Sequence, residues 1–238
     1  MATYVLIHGS FHGGWCWEKV AALLEGAGHK VLTPDLPGMG TDQTDFAADC
    51  LNQWADAVAD MVRAQDEPVI LAGHSLAGAV IAQAAERATE GVARLVFIAA
   101  LLMRDGDAAM GKRALAGLEA GEHPFMQPCG GGMTRAKPEG LNELIYSDAS
   151  DADRDAALAR ICPQPLNVMT TPLKLSEERF GAVPRGYIET TQDKVLPIDF
   201  QRTMQGNWPC ERVITLDTGH TPLASAPGQL VEALIAMA

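Results

Sequence analysis

Ser75 lies in the string Gly73-His74-Ser75-Leu76-Ala77-Gly78, behind the apolar run Val69-Ile70-Leu71-Ala72 and ahead of an Ala-rich segment from Gly78 to Ala88. A buried strand that turns at once into a helix forces the residue at the turn into a strained backbone conformation. The turn closes only where the residues two before and two after are small, and Gly73 and Ala77 meet that demand. The hydroxyl of Ser75 is thereby expected at a helix N-terminus, where the dipole favours developing negative charge. Such a serine suits nucleophilic attack on a carbonyl; the competing reading is a serine that only caps its helix.

A serine hydroxyl is a poor nucleophile until a positioned base takes its proton, and imidazole is suited to that task near neutral pH. Of six histidines, His220 follows the apolar run Arg212 to Leu216 through Asp217-Thr218-Gly219, on a loop expected to leave the same sheet edge as Ser75. His8, His12 and His74 flank that edge inside tight turns, where a structural hydrogen bond is an equal reading, and His29 and His123 read as surface residues. The base needs a carboxylate to hold its tautomer and stabilise the imidazolium. Asp193 ends the run Tyr187-Ile188-Glu189-Thr190-Thr191-Gln192, in the chain order Ser, Asp, His that this kind of nucleophile turn uses. Asp105, after the fourth apolar run, is its main rival, and Asp217 is too close in sequence to reach the far ring nitrogen comfortably.

The first apolar run ends in His8-Gly9-Ser10-Phe11-His12-Gly13-Gly14-Trp15. Three glycines so close to a strand let a backbone N–H approach a ligand. The amides of Ser10 and of Leu76, the residue after the candidate nucleophile, are the expected donors to an oxyanion. The glycines do not form a dinucleotide loop, because no GxGxxG opens a helix there.

Short apolar runs position these residues: Thr3 to Ile7, Lys30 to Thr33, Val69 to Ala72, Arg94 to Ala99, Gly186 to Thr190 and Arg212 to Leu216. Each reads as a strand buried on both faces of a parallel sheet. Leu51, Trp54, Val58 and Met61 recur at helical spacing, and Gly228 to Met237 reads as a further helix. Six strands alternating with helices predict a six-stranded, mainly parallel α/β sheet covered on both faces. The alternation stops for about 80 residues, which predicts one domain with core 1–103 and 185–238 and a mostly helical cap inserted at about 104–184. Met103, Met110, Phe125, Met126, Met133, Tyr146, Met169, Leu173 and Phe180 are its candidates for an apolar acyl pocket.

Composition excludes several classes. The chain has 238 residues, 18 Lys plus Arg against 30 Asp plus Glu, and a net charge of −12 without a basic run. Nucleic acid and anionic membranes, which are bound through clustered cations, are disfavoured as partners. The five cysteines are widely spaced with no CxxC, so neither a disulfide framework nor a zinc site is expected. With no signal peptide and no apolar stretch of membrane-spanning length, a cytoplasmic protein is expected. A homodimer is left open.

The strings His8 to Trp15, Ala27-Gly28-His29-Lys30-Val31, Gly73 to Gly78, Glu178-Arg179-Phe180-Gly181, Gln192-Asp193-Lys194, Phe200-Gln201-Arg202 and Gly219-His220 resemble the plant methylesterase and hydroxynitrile lyase family of the α/β-hydrolase fold, which has bacterial esterase relatives. The resemblance spans nearly the whole chain, is weakest in the cap, and favours Asp193 as the acid. It implies a serine carboxylesterase that cleaves small, largely apolar esters of methyl or aryl type through an acyl-enzyme, with no cofactor or metal. The expected substrate-pocket residues are Gly9, His12, Phe125, Tyr146 and Thr221. Lyases of the family carry threonine at the position of Gly9 and lysine at that of Thr221, so a cyanohydrin lyase is disfavoured here. A ligand-binding receptor with little turnover is the other alternative. Esterases of the family usually carry methionine at the position of Thr221 and glycine at that of Ala77, so this chain departs from both groups.

Overall fold

The computed structural model describes residues 1–111 and 117–238. Six strands form one parallel sheet: β1 (Thr3–Ile7), β2 (Lys30–Leu32), β3 (Val69–His74), β4 (Val92–Ile98), and, after an insertion, β8 (Arg185–Thr190) and β9 (Arg212–Leu216). Their order across the sheet is β2-β1-β3-β4-β8-β9. This is the sheet expected from the apolar runs.

Alternate residues of the strands enter different cores, as the two-residue repeat of a strand requires. Val5, Ile7, Leu71, Leu95, Phe97 and Tyr187 pack with α2 (Cys50–Arg63) and α3 (Ala77–Arg87). Tyr4, Leu6, Ile70, Ala72, Val96, Ile98 and Ile188 pack with α1 (Glu18–Gly26) and the C-terminal helix Pro227–Met237. Burial on both faces explains why these strands read as continuous apolar runs. Each large apolar side chain so enclosed contributes roughly 1.5–3 kcal/mol. Because the strands are parallel, with Ile7 opposite Gly73, His74 opposite Ile98, Ile98 opposite Ile188 and Thr190 opposite Leu216, the loops bearing Ser10, Ser75, Asp193 and His220 all leave one edge.

The insertion between β4 and β8 carries the helical segments expected, Pro138–Gly140, Leu141–Ile145, Asp151–Leu158 and Asn167–Thr170, and adds strands that the sequence did not signal. It contains a three-stranded antiparallel sheet of β5 (Met126–Gly130), β6 (Met133–Ala136) and β7 (Gln164–Pro165), besides the helix Asp151–Leu158. These strands carry few β-branched residues, and Pro128 with Gly130-Gly131-Gly132 reads as loop. The three glycines instead make the hairpin turn, all with positive φ (92°, 59° and 74°), a backbone path open to glycine.

Candidate active site

The turn at Ser75 is tied down on both sides. Ser75 has φ of 56°, its N–H donates to the Ile98 carbonyl (3.3 Å), and its carbonyl accepts from Gly78 (3.1 Å) and Leu101 (3.0 Å). A non-glycine residue in this region is strained and persists only where its surroundings hold it. A Cβ on Gly73 would stand 2.9 Å from the Ala77 carbonyl oxygen, and one on Gly78 would collide with the Leu101 backbone. Small residues at these positions are therefore a packing requirement of the turn.

From the loop after β9, His220 reaches back to this serine. Its Nε2 accepts from the Ser75 hydroxyl at 2.9 Å, and its Nδ1 donates to Asp193 Oδ2 at 2.8 Å. Both side chains are buried. Asp193 is anchored in turn, with Oδ1 accepting from the amides of Val195 and Leu196 (both 2.8 Å) and Oδ2 from Thr190 Oγ1 (3.2 Å). The rival carboxylates are engaged elsewhere: Asp105 accepts from the Leu175 amide at 2.8 Å, and Asp217 from Thr191 and Gln192 side chains.

The other histidines of this edge serve the scaffold. His8 donates from Nδ1 to the Gly9 carbonyl (3.0 Å) and accepts at Nε2 from the Leu36 amide (3.1 Å). His74 donates from Nε2 to the His220 carbonyl at 2.7 Å. His12 donates from Nδ1 to the Ser10 carbonyl at 2.6 Å. Burial pushes His8 and His12 down to about 4 and His74 well below the usual imidazole range, so all three are neutral at physiological pH.

At the first loop, Phe11 has φ of 66° and gives its N–H to Gln164 Oε1 at 2.9 Å. The Ser10 and Leu76 amides have no hydrogen-bond acceptor among the described residues, and both residues border a cavity of about 190 Å³ that also reaches Ser75. The cavity is otherwise mainly apolar, bounded by Met110, Phe125, Met126, Met169, Val195 and Leu196. His123, expected on the surface, is half-buried and lines it too. Nothing in the spacing of that histidine signalled this, because the path of the insertion decides it.

Of the five pocket residues expected, only Phe125 lines the cavity. Gly9 has no side chain to offer and lies against Ser75, Thr221 turns its hydroxyl to the Ile145 carbonyl (2.6 Å), and Tyr146 gives its hydroxyl to His12 (2.5 Å). These side chains are spent on partners in the protein. Among the broader cap candidates, Met110, Met126 and Met169 line the cavity, while Phe180 packs edge-on against Trp208. Among the described residues no cluster of three or more His, Cys, Asp or Glu side chains could hold a metal.

A serine at a strand-to-helix turn, over the carboxyl edge of a parallel sheet and beside a histidine and a carboxylate from later loops, defines a class of α/β enzymes. Residues 4–233 match the alpha/beta hydrolase family, and the chain belongs to it. The chain is 30% identical over 252 residues to Methylesterase 1 of Arabidopsis thaliana, covering 99% of this chain and 95% of that one. It is 31% identical over 254 residues to Methylesterase 17 of the same plant, covering 98% and 92%. In three dimensions it is similar to the crystal structure of the methylesterase protein MES16 from Arabidopsis, with a TM-score of 0.84, 26% identity and coverage of 99% and 98%. It is also similar to the pyrethroid hydrolase PytH, with a TM-score of 0.83, 29% identity and coverage of 99% and 96%.

Proposed function

We propose that this protein is a serine carboxylesterase that hydrolyses small, largely apolar esters of methyl or aryl type. The observation that carries the reading is the hydrogen-bonded chain Ser75–His220–Asp193, with links of 2.9 and 2.8 Å, at one end of an apolar cavity. Ser75 attacks the ester carbonyl while His220 Nε2 takes its proton, and Asp193 stabilises the imidazolium. The Ser10 and Leu76 amides hold the oxyanion, one such donor being worth ~3 to 4 kcal/mol, or a factor of ~10²–10³ in rate. His220 passes the proton to the departing alkoxide. Water, deprotonated by the same imidazole, then releases the acid from the acyl-enzyme.

The methylesterase relatives support a methyl ester as substrate, and the pyrethroid hydrolase supports a pyrethroid-like one. The segment 104–184 serves as a cap whose methionines shape the acyl site. A carbon–carbon lyase is not favoured, since the residue after His220 is Thr221, whose hydroxyl is engaged by Ile145, and it carries no charge to receive cyanide. Five free cysteines fit a reducing, cytoplasmic setting, and no helix among the described residues is long and apolar enough to cross a membrane.

Hydrolysis of p-nitrophenyl acetate and butyrate by wild type and Ser75→Ala tests the reading. Removal of the nucleophile should lower kcat on the order of 10⁴- to 10⁶-fold. Equal rates in the two proteins would overturn it, and ester binding without turnover in wild type would indicate a receptor.

A further inference from the structure

Four consecutive residues of the insertion, Ile145 to Asp148, touch both loops on which the proposed chemistry depends. Asp148 Oδ2 accepts from the Gly219 amide at 2.6 Å, and the Ile145 carbonyl accepts from the Thr221 hydroxyl at 2.6 Å. The two bonds grip the residues immediately before and after His220. The fit is tight: a Cβ on Gly219 would lie 2.5 Å from Asp148 Oδ1 and 3.0 Å from Ser147 Oγ. Between them in sequence, the Tyr146 hydroxyl meets His12 Nε2 at 2.5 Å, with the rings stacked at 5.7 Å between centroids. Because His12 Nδ1 must donate to the Ser10 carbonyl, its Nε2 can only accept, so the tyrosine donates. The chain of bonds therefore runs from the insertion through His12 to Ser10.

We infer that Ile145–Asp148 is a strap that sets the position of His220 and of the Ser10 amide together, with Tyr146, Asp148 and Thr221 as positioning residues. The inference rests on the assignment of Ser75, His220 and Ser10 made above. Nothing in the strap touches the reacting atoms. Its effect is to hold a base and an oxyanion donor, from loops 210 residues apart in sequence, in one frame. A small displacement of either is costly, since misplacement of about 1 Å at a reacting centre can lose ~100-fold in rate. Thr221 stands where the family resemblance leads one to expect methionine or lysine, and the methionine of the esterases has no hydrogen to give to the Ile145 carbonyl. The strap is thus partly this chain's own.

The test uses the full chain and p-nitrophenyl acetate, with kcat, KM and Tm measured for Tyr146→Phe, Asp148→Ala, Asp148→Asn and Thr221→Val. Tyr146→Phe keeps the stacked ring and removes only the donor; Asp148→Asn keeps an acceptor for the Gly219 amide. Tyr146→Phe and Asp148→Ala should each lower kcat by about tenfold with KM within about twofold, Thr221→Val should lower kcat by about threefold, and Asp148→Asn should recover most of the loss. A merely structural role would instead appear as a fall in Tm with kcat intact, or as a loss that Asp148→Asn does not rescue, and either result overturns the strap. Ser75→Ala, run alongside, separates the two readings. If that variant is inactive while the strap variants keep wild-type kcat, the strap alone fails; if it matches wild type, the esterase reading fails beneath it.

Discussion

A Cβ on Gly9 would stand 3.1 Å from the Cβ of Ser75 and 3.0 Å from the carbonyl oxygen of His74. The first loop and the nucleophile turn are therefore in backbone contact, which is what lets the Ser10 amide border the same space as the Ser75 hydroxyl. A side chain at position 9 must push the two loops apart by a few tenths of an ångström. Gly9→Thr should lower kcat/KM for p-nitrophenyl acetate by about tenfold or more, with most of the loss in kcat. Wild-type kinetics in this variant would show that the contact can relax without effect.

Gln201 is fully buried beneath Asp193. Its Nε2 donates to the Leu196 carbonyl (2.6 Å) and the Thr190 carbonyl (3.1 Å), and its Oε1 accepts from the Thr190 amide (3.1 Å). Gln201→Leu would strand three buried backbone groups, each costing about 1–3 kcal/mol. We expect a loss of stability of several kcal/mol by urea denaturation and, in the folded fraction, a kcat at least about tenfold lower. An unchanged midpoint would contradict the account.

Acid should destabilise the protein through its neutral histidines. His8 and His12 are pushed from 6.5 to about 4, and His74 well below 6.5, by burial above all. The unfolded chain then binds more protons than the native one below pH 6.5. The stability they confer is complete above that value and is lost as pH falls toward 4, by up to ~1.4 kcal/mol per pH unit for each histidine. Unfolding at pH 5.5 should take up at least two protons. Calorimetry in buffers of different ionisation enthalpy reads that number, and uptake below one proton would contradict the sign of these shifts.

Met126 is buried and lines the cavity beside Ser75. Met126→Ala should admit longer acyl chains, because each methylene accommodated in an apolar pocket is worth about 1–3 kcal/mol in discrimination. The ratio of kcat/KM for p-nitrophenyl hexanoate over acetate should rise about tenfold. An unchanged ratio would place the acyl group elsewhere.

The sheet was legible because burial on both faces writes each strand as an unbroken apolar run. The first and last apolar runs coincide to the residue with the strands Thr3–Ile7 and Arg212–Leu216. The nucleophile turn was legible for a related reason: the steric demand for small residues at 73 and 77 is met within a few residues of Ser75. The strands of the insertion are not legible because Met126–Gly130 is half turn chemistry and lacks the alternation of a half-buried strand.

Local sequence, then, determined where the elements lie and which serine stands at the strained turn, since those depend on periodicity and on sterics between near neighbours. Chain order already favoured Asp193 over Asp105, but only the tertiary structure brings it to His220, turns Tyr146 and Thr221 to protein partners instead of the cavity, and places His123 on the cavity wall. Those contacts join residues that are mostly tens of positions apart along the chain. Their formation depends on the path of the loops after the sheet has formed, which no short window of residues encodes.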